Sequence, residues 1–175
     1  KEWIANDGEI FYDKFKGPET FKDRFKDSEL VMPLRHSTNY ASSVTDLHGP
    51  GFVLCGNATE FLDPIFSSGV LLAITSGHKA AELVTKELND EKVDWDEDYS
   101  KFLKQGLEVF RSFVNAWYDG TLDSIFYTKQ LNTEYKRQIC SVLAGFVWDK
   151  TNPFAIKHKR LLKTLAKVIK IQDSV

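Results

Sequence analysis

A polar stretch between a short apolar run and a longer apolar-periodic segment contains the residues best suited to chemistry. It holds three groups of them: Gly56, Asn57 and Ala58; Asp63 and Pro64; and Ser67, Ser68, Gly69 and Val70. Because the next segment repeats its apolar residues at helical spacing, the third group is predicted to lie at a helix start. Unpaired backbone N–H groups and the positive dipole end of a helix favour anions and electron-rich oxygens there. The sequence therefore predicts a ligand-binding loop.

The elements that must position this loop are a strand and a helix. Residues 52–55 form an apolar run bounded by turn residues, which is typical of a strand buried on both faces. After the loop, apolar residues recur at helical spacing at Val70, Ala73 with Ile74, Gly77, Ala80 with Ala81, Val84 and Leu88. The predicted order is strand, loop, helix.

The order of residues in this stretch resembles the second FAD motif of flavin-dependent oxidoreductases, which is Gly-Asp-Ala, a spacer, Asp-Pro, and a Gly that opens a helix. The flavin-dependent halogenase-like branch and the related geranylgeranyl-reductase-like proteins are most similar, with Asp-Pro-x-Phe-Ser-Ser-Gly-Val. Strong resemblance covers about residues 51–90. Asn57 stands where the family has Asp. An amide can still bond a ribityl hydroxyl, but it brings no charge.

The resemblance implies an FAD-dependent oxidoreductase in which this stretch supplies the isoalloxazine side of the cofactor site. The cofactor-binding residues it implies are Gly56, Asn57, Ala58, Asp63, Pro64, Ser68, Gly69 and Val70. In halogenase-like members the amides at Ser68 and Gly69 also hold a halide. Halogenation is the expected reaction, with hydroxylation by a monooxygenase and double-bond reduction left open. The expected substrate is a small aromatic or long apolar molecule, and the catalytic residues are unknown.

The expected fold class is an α+β fragment that is predominantly α. Terminal strands of an FAD-binding, Rossmann-like α/β oxidoreductase would be followed by a helical C-terminal region. The predicted boundaries are residues 1–50 for a partial β-rich segment, 51–90 for the last strand, flavin loop and helix, and 91–175 for the helical region. No Gly-x-Gly-x-x-Gly occurs, so the pyrophosphate half of the site is expected upstream of Lys1 and weak FAD binding is expected of these residues alone.

Turn and capping signals predict the remaining elements. Toward the N-terminus they are a hairpin around residues 6–8, a short helix after Pro18 and extended segments over residues 30–40 and 41–47. Beyond residue 90, a long helix is predicted from the acidic run 94–98 to Trp117, then an irregular connector over 122–131. The next predicted helix can be capped by Asn132 or Thr133 and has apolar positions as far as Val147. A last helix is predicted over residues 154–171.

Composition excludes several classes of protein. The chain has 175 residues, 42% of them hydrophobic, and a formal net charge of −2, which suits a folded domain and gives no polyelectrolyte argument for nucleic acid. Residues 150–175 are basic, with seven Lys or Arg against one Asp. A solvated face of the last helix is favoured over a membrane surface or an acidic partner. No signal peptide or membrane-length apolar run is present, so a cytoplasmic location is expected.

Other reactive residue types have simpler interpretations. Cys55 and Cys140 are expected to be reduced and buried, and the four scattered histidines have no metal-ligand spacing. Glu60 and Asp63 are expected to order the loop as hydrogen-bond acceptors, and the hydroxyls of residues 67 and 68 to cap the helix. A non-enzymatic helical interaction module is the alternative of a different class.

Overall fold

The computed structural model describes residues 23–24, 27–29, 31–32, 41–128 and 132–172. The chain divides into two compact units, residues 1–39 and residues 40–175. The predicted hairpin around residues 6–8 lies outside the described residues, as do most of the helix after Pro18 and most of the extended segment 30–40. The elements below all belong to the second unit.

In the part of the chain that the structure describes, four two-residue strands form two small antiparallel sheets. The strands are β1 Ser42–Ser43, β2 His48–Gly49, β3 Phe52–Val53 and β4 Glu60–Phe61. β1 pairs with β4, and β2 pairs with β3. The prediction that residues 52–55 are buried on both faces is wrong for this structure, because Phe52 is 50% exposed. Among the described residues, β3 has only β2 beside it, so no second neighbouring strand covers the apolar run.

The segment between β3 and the first long helix contains two single turns of 3₁₀-helix, Gly56–Ala58 and Pro64–Phe66, on either side of β4. Helix α1, Gly69–Leu88, follows at the predicted position. Its buried residues are Leu72, Ser76, Ala80 and Leu83. The apolar stripe that predicted the helix is largely exposed instead, since Val70 is 72% and Ile74 is 67% accessible. α1 is therefore apolar on two sides, and only one of them packs against other described residues of this chain.

The long aromatic helix is confirmed. A turn of π-helix, Asp96–Lys101, leads into α2, Phe102–Tyr118, which supplies much of the core. Packing explains why a glycine occupies position 106 in the middle of α2, because a Cβ at this position would lie 2.3 Å from the indole of Trp148. That indole stacks on Phe102 and donates its Nε1–H to the Phe102 carbonyl oxygen at 2.8 Å.

The predicted connector after α2 is partly wrong, because residues Thr121–Phe126 form a short helix, α3. The backbone N–H of Thr121 donates to the carboxylate of Asp119 at 2.9 Å, which satisfies one unpaired donor at the start of α3. Leu122 and Ile125 are fully buried. Burial of these two side chains outweighs the weak local helix signal of so short a segment.

The last three helices differ in length from the prediction. α4 covers Thr133–Leu143, and its predicted cap is present, since the Asn132 carbonyl oxygen accepts from the Glu134 amide at 2.8 Å. The helix ends before Gly145, whose φ is +105°, although the predicted apolar repeat continues as far as Val147. The predicted last helix is two helices, α5 Pro153–Ile156 and α6 His158–Gln172.

A single hydrophobic core joins the helices of the second unit. It includes Leu83 of α1, Phe110 and Phe113 of α2, Ile139 of α4 and Leu162 of α6. The basic residues of α6 stay exposed, as expected for a solvated face. Within the described part of the chain, no helix has the length and apolar character needed to cross a membrane.

Candidate functional site

The eight residues predicted to bind the cofactor lie in one loop and the helix start that follows it. Gly56 begins the loop with φ of +57°, a left-handed conformation that favours glycine. Its N–H donates to Ser76 Oγ at 2.8 Å, and a Cβ on Gly56 would lie 3.1 Å from the Cβ of Ala73. The loop therefore starts in close contact with α1.

Asn57 lies opposite the start of α1. The position that a Cβ would take on Gly69 is 3.8 Å from Asn57 Oδ1, and no other atom beyond its neighbours lies within 4 Å. A cavity of about 190 Å³ opens here, and its lining includes Asn57, Pro64, Gly69 and Val70. Ala58 is exposed beside it. The structure thus brings four of the eight predicted residues together around one cavity, whereas Gly56, Ala58, Asp63 and Ser68 are not part of its lining.

The first turn of α1 is left without a side-chain cap. Ser68 occupies the capping position, but its φ of −71° and ψ of −16° are helical and its hydroxyl makes no capping bond. The prediction of a hydroxyl cap by residues 67 and 68 is therefore wrong, because capping by a side chain requires an extended backbone at that position. Ser67 has φ of +53°, so the chain turns sharply just before the helix. Because no side chain caps the start of α1, its first amides can donate to a ligand.

The Asp63 carboxylate accepts two hydrogen bonds that fix the conformation of the loop. One carboxylate oxygen accepts from the Ile65 amide at 3.0 Å, and Pro64 takes the first position of the turn that Asp63 caps. The other oxygen accepts from the Tyr118 hydroxyl at 2.8 Å. The predicted interpretation of Asp63 as a loop-ordering acceptor agrees with these bonds.

Glu60 is a buried carboxylate in the middle of the loop and also lines the cavity. It forms an ion pair with Arg111 of α2, and Arg111 also pairs with Glu108. Sequence analysis missed Arg111 as a partner of the loop. The only signal in the sequence is that Arg111 is the single charged residue in the second half of α2, which does not reveal which acid it meets.

A buried phenol supports the strand that leads into the loop. Tyr99 is fully buried, and its hydroxyl donates to the Leu54 carbonyl oxygen at 2.5 Å. Burial raises the pKa of this phenol, and the neighbouring Cys55 thiol, 3.5 Å from the hydroxyl, raises it further. Tyr99 is therefore protonated at neutral pH and holds the strand as a hydrogen-bond donor.

The remaining titratable groups make ordinary structural contacts. His158 Nδ1 lies 2.6 Å from Ser112 Oγ, and burial lowers the pKa of this imidazole, with a smaller effect from Lys159. Cys55 is free and partly buried, whereas Cys140 is free and exposed, which corrects its predicted burial. Across the described ranges, no group of three or more His, Cys, Asp or Glu could hold a metal ion.

A larger cavity lies away from the loop. It has a volume of about 600 Å³ and is bordered by the β2–β3 hairpin, with Phe52, Val84 and Trp95 in its lining. This cavity follows the exposed edge of β3, which has no neighbouring strand among the described residues. The smaller cavity at Gly69 is the better candidate site, because the uncapped start of α1 forms part of its lining.

Comparisons with known proteins agree with the resemblance in the loop. The chain is 30% identical over 143 residues to a 1H-pyrrole-2-carbonyl-(peptidyl-carrier protein) chlorinase of Pseudomonas fluorescens, a match covering 81% of this chain and 31% of that protein. It is 39% identical over 77 residues to a tryptophan 2-halogenase of Chondromyces crocatus, covering 43% of this chain and 15% of that protein. The chain thus spans about a third or less of the length of these relatives.

A solved structure supports the fold. The crystal structure of a flavoprotein/dehydrogenase from Cytophaga hutchinsonii matches with a TM-score of 0.86 and 48% identity, over 94% of this chain and 41% of that one. The family model described as tryptophan halogenase matches residues 19–160. The predicted membership of the flavin-dependent, halogenase-like group is confirmed, and the chain belongs to the tryptophan halogenase family.

Proposed function

We propose that this chain supplies the isoalloxazine side of the FAD site in a halogenase-like, flavin-dependent oxidoreductase. The observation that carries the proposal is the uncapped start of α1 at Gly69, which faces Asn57 across a cavity of about 190 Å³. Oriented amides and the helix dipole stabilise an electron-rich carbonyl or an anion at such a position. Family membership supports FAD as the group bound there.

The residues present fit the flavin. Gly69 has open space where a side chain would begin, so a planar ring can approach the backbone. The amides of Ser68, Gly69 and Val70 would face the ring edge, and Asn57 would bond a polar group of the cofactor as a neutral donor or acceptor. Gly56 and Ala58 would contribute backbone at the entrance. Asp63 and Pro64 would act by fixing the shape of the loop.

Bound FAD, once reduced to FADH2 by a flavin reductase, would supply the two electrons for the reduction of dioxygen that drives halide oxidation. This chain would hold the halide at the amides of Ser68 and Gly69, where the same dipole favours an anion. A small aromatic molecule is the proposed substrate class, in keeping with the tryptophan and pyrrole-carboxyl groups in the names of the two relatives.

The exposed stripe of α1 supports the proposed Rossmann-like context. Val70, Ile74, Val84 and Leu88 lie along one side of the helix and are all accessible. An apolar stripe of this length on a helix is suited to packing against a sheet. We propose that α1 and the segment from Phe52 to Cys55 are the last helix and strand of an FAD-binding α/β domain.

FAD uptake followed by product analysis tests the proposal. The protein that carries these residues should purify yellow or take up FAD, with a flavin absorbance band. With a flavin reductase, oxygen and an aromatic substrate, it should give a product in which one hydrogen is replaced by chlorine or bromine according to the halide supplied, with the corresponding change in mass. A colourless protein that does not bind FAD would support the alternative of a non-enzymatic helical module.

A second candidate function is an FAD-dependent dehydrogenase of the geranylgeranyl-reductase type, because the solved structure with 48% identity is named a flavoprotein/dehydrogenase. In that case substrate should exchange electrons with FAD in the absence of oxygen and halide. Halide-independent oxygen insertion would instead indicate a monooxygenase. Either outcome would be consistent with the flavin site but would contradict halide binding at Ser68 and Gly69.

A further inference from the structure

Glu60 is a charged side chain in an enclosed position within the loop. The residue is only 9% exposed, lies in β4, and forms part of the wall of the cavity at Gly69. A carboxylate removed from water in this way needs a partner, because an unpaired buried charge is strongly unfavourable. The partner that the fold supplies comes from a helix more than forty residues later in the chain.

That partner is Arg111, near the middle of α2. Its guanidinium pairs with Glu60 on one side and with Glu108 on the other. Glu108 in turn accepts from Lys159 of α6 at 2.9 Å. Alternating charges therefore run from the loop through α2 to α6, and Arg111 is the member that touches the loop.

A second bond connects α2 with the same loop. Tyr118 donates to Asp63, and it lies seven residues after Arg111 on the helix. Residues seven apart lie on one face of an α-helix, about 10 Å from each other along its axis. The two acids of the loop, Glu60 and Asp63, are thus held by two residues on one face of α2. Phe61 and Leu62, which lie between the two acids in sequence, also line the cavity.

We propose that Arg111 is a positioning residue for the cofactor loop: through Glu60 it fixes residues 57–69 in the conformation that binds FAD. The proposal rests on the function proposed above and adds a residue outside the loop to it. Arg111 does not line the cavity, so it acts on the cofactor only through Glu60. Without Arg111 the Glu60 carboxylate would have to reach water, and β4 would have to move with it.

An ordinary stabilising ion pair would give different results. If Arg111 only stabilised the fold, its replacement would lower the unfolding midpoint and leave the affinity of the folded protein for FAD unchanged. A matched comparison is available in Arg137, which pairs with Glu134 on the exposed surface of α4. Arg137→Ala removes an arginine–glutamate pair that does not involve the loop.

The experiment compares Arg111→Ala, Arg111→Lys and Arg137→Ala in the protein that carries this chain. FAD affinity is measured by flavin fluorescence at fixed salt, and folding is checked by circular dichroism. Arg111→Ala should bind FAD roughly tenfold or more weakly. Arg111→Lys should recover part of that loss because it keeps the charge, and Arg137→Ala should bind normally. If Arg111→Ala does not fold, the FAD affinities of Arg111→Lys and Glu60→Gln are compared with those of the wild-type protein and Arg137→Ala instead.

Two further measurements separate this proposal from the function on which it rests. In a Glu60→Gln background, Arg111→Ala should change FAD affinity little, because the carboxylate through which it acts is absent. Amide hydrogen exchange without FAD should be faster across residues 57–69 in Arg111→Ala and unchanged in Arg137→Ala. Faster exchange in a protein that never binds FAD would overturn the proposed function and keep the positioning of the loop. Unchanged exchange, or wild-type FAD affinity in folded Arg111→Ala, would overturn the positioning.

Discussion

The backbone N–H of Gly56 donates a hydrogen bond to the hydroxyl of Ser76 at 2.8 Å, and this bond joins the first residue of the loop to the second turn of α1. The Ser76 hydroxyl donates onward to the Leu72 carbonyl oxygen at 2.6 Å. Gly56 and Ser76 are both buried. The strand and the helix on either side of the cavity are therefore fixed to each other by a polar contact that water does not reach.

Replacing Ser76 by Ala should destabilise the protein by about 1–3 kcal/mol, because the Gly56 donor would be buried without an acceptor. Urea unfolding monitored by circular dichroism measures the change. Thr85→Ala is the matched control in the same helix, since the Thr85 hydroxyl bonds the Ala81 carbonyl oxygen at an exposed position. It should cost about 0.5 kcal/mol or less. Equal losses in the two variants would mean that the Gly56–Ser76 bond contributes nothing specific.

The raised pKa of Tyr99 predicts a loss of stability in alkali. A phenol in the unfolded chain releases its proton near pH 10, while buried Tyr99 keeps its proton to higher pH. Above pH 10 the folded state therefore binds more protons than the unfolded state, and the free energy of unfolding falls as pH rises. Below that pH the contribution is fully present.

Tyr99→Phe should reduce this alkaline dependence. At neutral pH it should cost about 1–3 kcal/mol, because the Leu54 carbonyl oxygen loses its donor. Tyr127→Phe is the control, because Tyr127 is 79% exposed. Unfolding by urea at pH 8, 9.5 and 10.5 measures both variants. The same alkaline slope in wild type and Tyr99→Phe would contradict the assignment.

The lowered pKa of His158 predicts that the free energy of unfolding falls in mild acid, whereas the effect of Tyr99 appears in alkali. Burial lowers the pKa of its imidazole, so the unfolded chain takes up a proton near pH 6.5 before the folded chain does. Stability from this group is present above pH 6.5 and is lost as pH falls. Urea unfolding between pH 7.5 and 5.5 should show a smaller loss in His158→Gln than in wild type, while His78→Gln, at an exposed position, should follow wild type. A wild-type slope in His158→Gln would contradict the prediction.

α1 shows how far the sequence predicts the fold. Its position follows from helical spacing, and the structure confirms it. The packed face does not follow, because both the stripe with Val70 and Ile74 and the side with Leu72 and Leu83 are apolar. Neighbouring elements decide which side is covered, and a periodicity contains no information about them.

The boundaries after α2 were predicted less well for a similar reason. α3 is stabilised by burial of Leu122 and Ile125 more than by local preference, and a segment of six residues is too short for periodicity to identify. The break between α5 and α6 at Lys157 involves no proline or glycine, so no residue type marks it. Asn132 was identified as a possible cap because side-chain capping has a local signature.

The candidate site combines predictable and unpredictable parts. The loop residues are consecutive in sequence, so their proximity followed from strand, loop and helix order. The ion pair of Glu60 with Arg111 joins residues 51 apart, and the bond of Asp63 with Tyr118 joins residues 55 apart. Such pairs depend on how α2 packs across the loop, which no local pattern encodes.

Gly69 provides a direct test of the cofactor site. A Cβ at Gly69 would have only Asn57 Oδ1 within 4 Å, at 3.8 Å, which is an ordinary contact distance. Gly69→Val should therefore leave the fold largely intact, because the helix preference of valine is no poorer than that of glycine. It should abolish FAD binding or flavin-dependent turnover, because the side chain would fill the space proposed for the ring. FAD titration and thermal unfolding of the same samples separate the two effects.

Gly77→Ala is the matched control for this substitution. Gly77 lies in the same helix and has no atom within 4 Å of the position a Cβ would take, so alanine should be tolerated or should stabilise α1 by about 0.5–1 kcal/mol. FAD affinity should be unchanged, because Gly77 lies more than two turns beyond the helix start. Gly69→Ala, with its smaller side chain, should weaken FAD binding less than Gly69→Val. If folded Gly69→Val keeps full flavin occupancy and activity, the ring does not lie at this helix start and the cofactor assignment is wrong.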